Sequence, residues 1–173
     1  MLKAVEPSGK ILFEEEQHYP GWIMWMVRVS FLVAFSAVLI AALTKKNNGG
    51  DWIGLAIVVP VYLLVFYFVG LAKFEKIVTT NGFYYRERPW QKKYRVIEKQ
   101  SIDSADPRKF PFPSYGFGWF PGYGWYHNIG GEGVQLYLKN GNRFFFSSYE
   151  RSSFLKALQD LIFAGTKSTA SEF

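Results

Sequence analysis

The chain contains no cysteine and only two histidines, His18 and His127, among its 173 residues. Without cysteine it can form neither a disulfide, a thiol nucleophile nor a thiolate metal site. Neither histidine has a second histidine or a carboxylate at the spacing typical of metal ligands. No glycine-rich phosphate loop follows a strand and opens a helix. The sequence therefore predicts a protein that is not an enzyme, with no catalytic residues, metal, cofactor or small-molecule substrate.

Acidic residues are missing from two long apolar blocks, Trp22–Thr44 and Trp52–Phe74. Each block has 23 residues, which at about 1.5 Å per residue is enough to cross a hydrocarbon core of about 30 Å. The first block follows an acidic lead rather than the short basic start of a cleaved signal peptide. The short connector between the blocks, residues 45–51, predicts that the helices are antiparallel neighbours. We therefore predict a two-helix transmembrane hairpin over residues 22–74.

Lysine and arginine near the ends of these spans predict their orientation. The connector carries two such residues, whereas the opposite side carries eight, so both termini are expected in the cytoplasm. Trp22, Trp25 and Trp52 are predicted interface anchors, because tryptophan favours the membrane boundary. Arg28 lies inside the first span; its side chain either reaches the headgroups or forms an ion pair with a partner protein.

The remainder of the chain alternates apolar and polar residues, which is typical of strands. Two strand-like runs flank Asn81-Gly82, and two more flank Asn140-Gly141, which indicates two hairpins. Asp106-Pro107 is expected to end a strand between them. A helix follows, with Ser147 and Glu150 at capping-box spacing, an apolar face and an end at Gly165. The predicted domains are a lead at 1–21, spans at 22–44 and 52–74, a sheet domain at 75–165 and a flexible tail at 166–173.

The run GYGWYHNIGGEGVQLYLKNGNRFFFSSYERSSFLKAL resembles the closing half of the bacterial pleckstrin-homology-like domains of small two-span membrane proteins. The lead FEEEQHYPGWIMW resembles the start of such proteins. The resemblance implies an α+β membrane protein whose transmembrane hairpin is followed by an antiparallel pleckstrin-homology-like sheet or barrel domain with a C-terminal helix. It also implies a location in the bacterial inner membrane. Where the family carries a basic element, this chain has residues 122–125, Gly-Tyr-Gly-Trp, and so departs from the family's pattern at the place where an anionic-ligand site would be carried over.

The stretch FPFPSYGFGWFPGYGWYHNIGGEG, residues 110–133, is crowded with aromatic rings and glycine. Disordered segments are depleted in aromatic residues, so an ordered insertion of about twenty residues is expected. Its rings cover an open end of the sheet, contact the lipid headgroup region or contact a neighbouring subunit. The candidate partner-binding residues are Phe117, Trp119, Phe120, Tyr123, Trp125 and Tyr126, together with Arg28.

Residues 73–173 carry 15 Lys or Arg against 9 Asp or Glu, a net charge of +6. Anionic membrane lipids would attract such a surface, with nucleic acid a more distant alternative that membrane tethering argues against. The candidate lipid-binding residues are Lys92, Lys93, Arg95, Arg108 and Lys109. The leading hypothesis is a non-catalytic accessory or assembly subunit of a larger membrane complex, which interacts with other integral membrane proteins. The alternatives are an anionic-lipid-sensing module and an enzyme whose site the sequence does not reveal.

Overall fold

A computed structural model describes residues 4–44, 50–111 and 115–169. The chain divides into two compact units. One comprises Met1–His18 together with Lys73–Phe173, and the other comprises Tyr19–Ala72. The sequence predicted a separate lead at 1–21, but residues up to His18 belong to the sheet unit, because their strands pair with later ones.

Two apolar helices form the unit Tyr19–Ala72: α1 (Gly21–Thr44) and α2 (Gly50–Leu71). They pack antiparallel, with the Phe31 and Tyr62 ring centroids 5.0 Å apart and the Arg28 guanidinium 5.6 Å from the centre of the Phe66 ring. By length and composition, one described segment is suited to crossing a membrane, Gly21–Ala41, with a mean hydropathy of 2.2. The corresponding apolar segment of α2 is shorter, Ala56–Leu71.

The boundary of the second predicted span is wrong by three residues. Helix α2 ends at Leu71, and Lys73 and Phe74 already belong to a strand. Phe74 extends the apolar run in the sequence, but its side chain is buried in the core of the other unit. Apolar composition alone does not distinguish lipid-facing from core-facing residues.

The first sheet has five antiparallel strands: β1 (Ala4–Val5), β2 (Ile11–His18), β3 (Lys73–Thr79), β4 (Gly82–Arg88) and β5 (Tyr94–Glu98), in the order β1-β5-β4-β3-β2. Strands β2 and β3 are neighbours, and His18 pairs with Lys73. The helical pair is thus an insertion between two adjacent strands. The first predicted hairpin is confirmed, although its turn consists of Thr80 and Asn81, and Gly82 begins β4.

The second sheet contains β6 (Ile102–Lys109), β7 (Gly116–Phe120), β8 (Gly124–Asn128), β9 (Glu132–Leu138) and β10 (Arg143–Ser147), in the order β6-β9-β10-β8-β7. The pair β8–β10 is parallel and the others are antiparallel. The predicted end of a strand at Asp106-Pro107 is wrong, because β6 runs on to Lys109. β6 lies at one edge of the sheet, where a proline need not donate to a neighbour.

The C-terminal helix α3 (Arg151–Thr169) packs on the inner faces of the strands. Its face carries Phe154, Leu158 and Leu161, all fully buried, which confirms the predicted apolar stripe. The Phe83 ring joins both sheets and the helix, with its centroid 4.8 Å from that of Phe146 and 5.5 Å from that of Phe154.

Both predicted ends of this helix are wrong. Ser147 lies in β10, where its hydroxyl accepts a hydrogen bond from the Ile129 N–H, so it does not cap the helix. The helix continues past Gly165 to Thr169, which shortens the predicted tail; residues 170–173 lie outside the described part of the chain. Together these elements confirm an α+β fold with mainly antiparallel sheets and a C-terminal helix.

Candidate functional site

Residues 116–128 of the aromatic stretch form a β-hairpin. Strands β7 and β8 pair antiparallel, with Trp119 opposite Trp125. Gly122 and Gly124 at the turn have positive φ values of 80° and 72°, a conformation that glycine adopts without strain. Residues 112–114 of the stretch lie outside the described residues. Among the described strands β7 lies at the edge of its sheet.

One face of this hairpin presents three large aromatic side chains to solvent. Phe117 is 45% exposed, Trp119 is 61% exposed and Trp125 is 45% exposed. The Phe117 and Trp125 rings stack at 5.2 Å with an angle of 11° between their planes. Apolar groups clustered on an exposed face mark interaction surfaces more often than scattered ones do. We call Phe117, Trp119 and Trp125 the exposed aromatic face.

The other three predicted contact residues of the hairpin pack within the sheet unit. Tyr123 and Tyr126 cover Phe110 and Phe145: the Phe110 centroid lies 4.6 Å from that of Tyr126, and the Tyr123 centroid lies 5.8 Å from that of Phe145. Phe120 packs against Phe110 at 5.6 Å. The Tyr123 hydroxyl donates to the Lys109 carbonyl at 2.7 Å. The six predicted contact residues of the hairpin therefore form two groups. Three are exposed, and the other three pack against Phe110 and Phe145 on the outer side of β10.

The predicted basic residues occupy two different sheets. Lys92 and Lys93 are exposed before β5, in which Arg95 is half-buried. Arg108 and Lys109 end β6 in the second sheet. The Arg108 guanidinium lies 4.1 Å from the centre of the Tyr123 ring and donates to the Gly122 carbonyl at 3.0 Å. Arg108 thus supports the turn of the aromatic hairpin, and Lys92, Lys93 and Lys109 are the exposed members of the set.

Other cations, in β3 and β4, are paired with acidic groups. Glu75 accepts from Arg86, from Arg88 at 3.1 Å and from the Tyr94 hydroxyl at 2.6 Å. Lys73 binds Glu16 at 2.6 Å. Burial and the hydrogen bond to Glu75 raise the pKa of Tyr94 to about 12. These contacts neutralise much of the positive charge that the sequence places after the second apolar block.

A buried ion pair lies on the inner side of the first sheet. Lys76 is fully buried, and Glu15 faces it directly across the β2–β3 pairing. The Lys76 Nζ lies 2.8 Å from a Glu15 carboxylate oxygen and also donates to the Ser147 carbonyl. Burial lowers the pKa of Lys76 to about 8, although the Glu15 charge opposes this change.

Glu15 connects β2 to the residues just before α3. Its carboxylate accepts from the Ser148 hydroxyl at 2.7 Å, from the Tyr149 N–H at 2.7 Å and from the Gln17 amide at 3.0 Å. Burial alone would raise the pKa of this carboxyl, but Lys76, Ser148 and Tyr149 hold it below its ordinary value. The network ties β2 to the connection between β10 and α3, on the far side of the inserted helices in the sequence.

His127 lies in the same region of the core. Its ring stacks on that of Phe74, with a centroid distance of 3.4 Å and an angle of 12°. Burial and the nearby Lys76 charge lower the pKa of His127 to about 3. The imidazole is therefore neutral at physiological pH. Within the described ranges no group of three or more His, Asp or Glu side chains could hold a metal ion.

Sequence reasoning missed the ion pair, although the strand pattern contained a signal for it. Lys76 falls between Phe74 and Val78 at a spacing of two, so a strand that buries both phenylalanine and valine must also bury the lysine. Glu15 lies in the acidic lead that precedes the first apolar block. Its role depends on β2 joining the sheet across an insertion of two helices, which no local pattern indicates.

The remaining predicted residues lie in the helical unit. Trp22 and Trp25 are exposed in the first turns of α1, and Arg28 follows one turn later. Trp52 belongs to α2, but its side chain is outside the part that the structure describes.

Comparison with known proteins assigns the chain to no family. No protein-family model matches it, and no curated protein matches it at a significant level.

Proposed function

We propose that this chain is a non-catalytic subunit of a larger membrane protein complex, in which the exposed aromatic face docks a partner protein. The single observation that supports this role most directly is the stacked, solvent-exposed set Phe117, Trp119 and Trp125 on an edge hairpin. Aromatic side chains are enriched in the buried centres of interfaces. The edge strand β7 can also offer backbone groups to an extended segment of the partner.

We propose further that α1 and α2 cross the bacterial inner membrane as a two-pass hairpin, with both termini in the cytoplasm. Support comes from the apolar composition of both helices and from their antiparallel packing. His18, just before the helices, pairs with Lys73, just after them, so the chain enters and leaves the helical pair at adjacent positions. A sheet unit interrupted in this way fits a protein whose anchor and cytoplasmic domain fold together. The two sheets and α3 support the resemblance to the pleckstrin-homology-like fold.

Co-purification from native membranes in a mild detergent tests the docking role. Replacing Phe117, Trp119 and Trp125 with serine should remove stoichiometric partner proteins while leaving the melting temperature of the chain nearly unchanged. Phe163→Ser is the matched control, because Phe163 is 67% exposed on α3, outside the hairpin. Retention of every partner by the triple variant would contradict the proposal.

A second candidate function is recognition of anionic lipid by the sheet unit, which the exposure of Lys92, Lys93 and Lys109 favours. Each basic side chain near an anionic leaflet contributes about 1 kcal/mol. Cross-linking of these three positions to lipid in vesicles with and without phosphatidylglycerol distinguishes the two roles. Equal labelling in both kinds of vesicle, at any salt concentration, would exclude this candidate.

A further inference from the structure

The helical unit contains a groove whose lining combines apolar side chains with a single cation. Its volume is about 380 Å³, which is within the usual range for small-molecule pockets. Both helices contribute to the lining, which includes Arg28, Phe31, Leu32, Tyr62, Leu63 and Phe66.

The sequence places no acidic residue close to Arg28 in either apolar helix. Asp51 is the only carboxylate in the sequence between Tyr19 and Ala72. The Arg28 guanidinium lies against Phe66. Asp51 lies about 22 Å from Phe66 along α2, at about 1.5 Å per residue. Asp51 is therefore too far along the helix to pair with Arg28. No ion pair of Arg28 occurs among the described residues. An unneutralised cation in an apolar groove is complementary to a ligand that joins an anion to a hydrocarbon chain.

The position of Arg28 along α1 suits the phosphate of a membrane lipid. It lies about 10 Å beyond the first residue of the helix, Gly21, at about 1.5 Å per residue. Trp25, one turn earlier, is exposed, as expected for a residue at the boundary between headgroups and hydrocarbon. An arginine side chain of this depth extends towards the headgroups. The rest of the groove then lies where acyl chains lie.

We propose that this groove binds one anionic phospholipid, whose phosphate contacts the Arg28 guanidinium and whose acyl chain packs against Phe31, Tyr62 and Leu63. The assignment rests on the membrane placement given under the proposed function, but not on the aromatic hairpin. Arginine suits the phosphate because its planar donors can form two parallel hydrogen bonds to two oxygens. Phe66, which also lines the groove, lies 5.6 Å from the guanidinium and contributes a cation–π contact.

Native mass spectrometry of the delipidated full chain, titrated with phosphatidylglycerol or phosphatidylcholine, tests this site. We expect one phosphatidylglycerol to bind preferentially, and Arg28→Gln to weaken it by about tenfold or more, as loss of a charge-assisted hydrogen bond would. Arg28→Lys should be intermediate. Leu63→Trp should weaken binding of either lipid by filling the groove without a change of charge. Lys156→Gln is the matched control, because it removes one positive charge from an exposed position on α3.

Two results would overturn the inference while leaving the membrane anchor intact. One is that the parent chain binds phosphatidylglycerol and phosphatidylcholine equally and that Arg28→Gln changes neither affinity. The other comes from a photo-reactive residue at Leu32 in native membranes, if it forms adducts with a protein and none with lipid. A lipid-sized adduct would support the site. Release of the whole chain from membranes by carbonate would instead overturn the membrane placement, and this inference with it.

Discussion

Lys76 shows how one residue can depend on a distant segment of the chain. It occupies an inner-face position of β3 beside Phe74, and Glu15 of β2 supplies its counter-charge from the other side of the helical insertion. A buried charge that loses its partner is strongly destabilising, although an intact pair need not add net stability.

Glu15→Gln should therefore destabilise the sheet unit by about 3 to 5 kcal/mol, because it leaves the buried ammonium group unpaired. Lys76→Met should destabilise the unit less, because the Glu15 carboxylate keeps the Ser148 and Tyr149 donors and loses only its contact with Lys76. Urea unfolding of the full chain in detergent, followed by tryptophan fluorescence, measures both. A double variant should cost less than the sum of the two single changes; strict additivity would show that the pair is not coupled.

His127 gives the sheet unit a predicted sensitivity to acid. Its folded-state pKa of about 3 lies below the ordinary histidine value of about 6.5. Between these values the unfolded chain binds the proton and the folded chain does not, so stability is fully present above pH of about 6.5 and falls as the pH is lowered. His127→Phe, which keeps a ring against Phe74, should flatten the dependence of melting temperature on pH between about 6.5 and 4.5.

His18→Phe is the control for this effect, because His18 is an exposed residue of β2 that pairs with Glu16. The lowered pKa values of Glu15 and Glu75 also make the chain less stable in acid, and that contribution remains in every variant. An unchanged pH profile for His127→Phe would show that the imidazole is not held neutral in the folded state.

At the scale of single elements, the aromatic hairpin depends on one close backbone approach. A Cβ at Gly124 would lie 2.3 Å from the Arg143 carbonyl oxygen of β10. Gly122 has a similar positive φ, but a Cβ there would meet nothing within 4 Å. The two glycines therefore separate the effect of backbone conformation from the effect of steric contact.

Gly122→Ala should cost about 1 to 2 kcal/mol, the usual penalty of a left-handed conformation. Gly124→Ala should cost at least about 1 to 3 kcal/mol more, because the added methyl group must push β8 away from β10. Thermal unfolding of the full chain gives the stability, and hydrogen exchange at Trp125 and Tyr126 reports the strand pairing. Equal effects of the two substitutions would contradict the close approach.

The elements also show which sequence signals were sufficient. Alternating residues around Asn81 and Asn140 identified β3, β4, β9 and β10, and the period of Phe154, Leu158 and Leu161 identified α3. The aromatic hairpin was missed because its strands contain Gly118 and begin after Pro113, so they lack a regular apolar alternation. Strand β6 was cut short at Pro107 because its edge position, which tolerates proline, is a property of the sheet order.

At the scale of the whole molecule, the sequence patterns placed an anchor before a domain, whereas in the structure the two helices interrupt the sequence of the sheet unit. Strand β2 precedes α1 and pairs with β3, which follows α2. The sheet unit can therefore be completed only after both helices have been made. A deletion that removes β2 would expose the inner side of β3, including Lys76, even though residues 73–173 remained intact.

The absence of cysteine makes the proposed two-pass arrangement directly measurable with single introduced cysteines. Ser8 and Lys156 belong to the sheet unit, whereas Asn48 lies in the connector between the helices. In intact spheroplasts, a membrane-impermeant maleimide should label Asn48→Cys only. In inside-out vesicles it should label Ser8→Cys and Lys156→Cys. Ser8 and Lys156 must behave alike, because one sheet unit contains both. Labelling of all three positions from the same side would show that the helical pair does not cross the membrane between them, and it would remove the basis for a lipid at Arg28 while leaving the partner-docking role of the aromatic hairpin open to its own test.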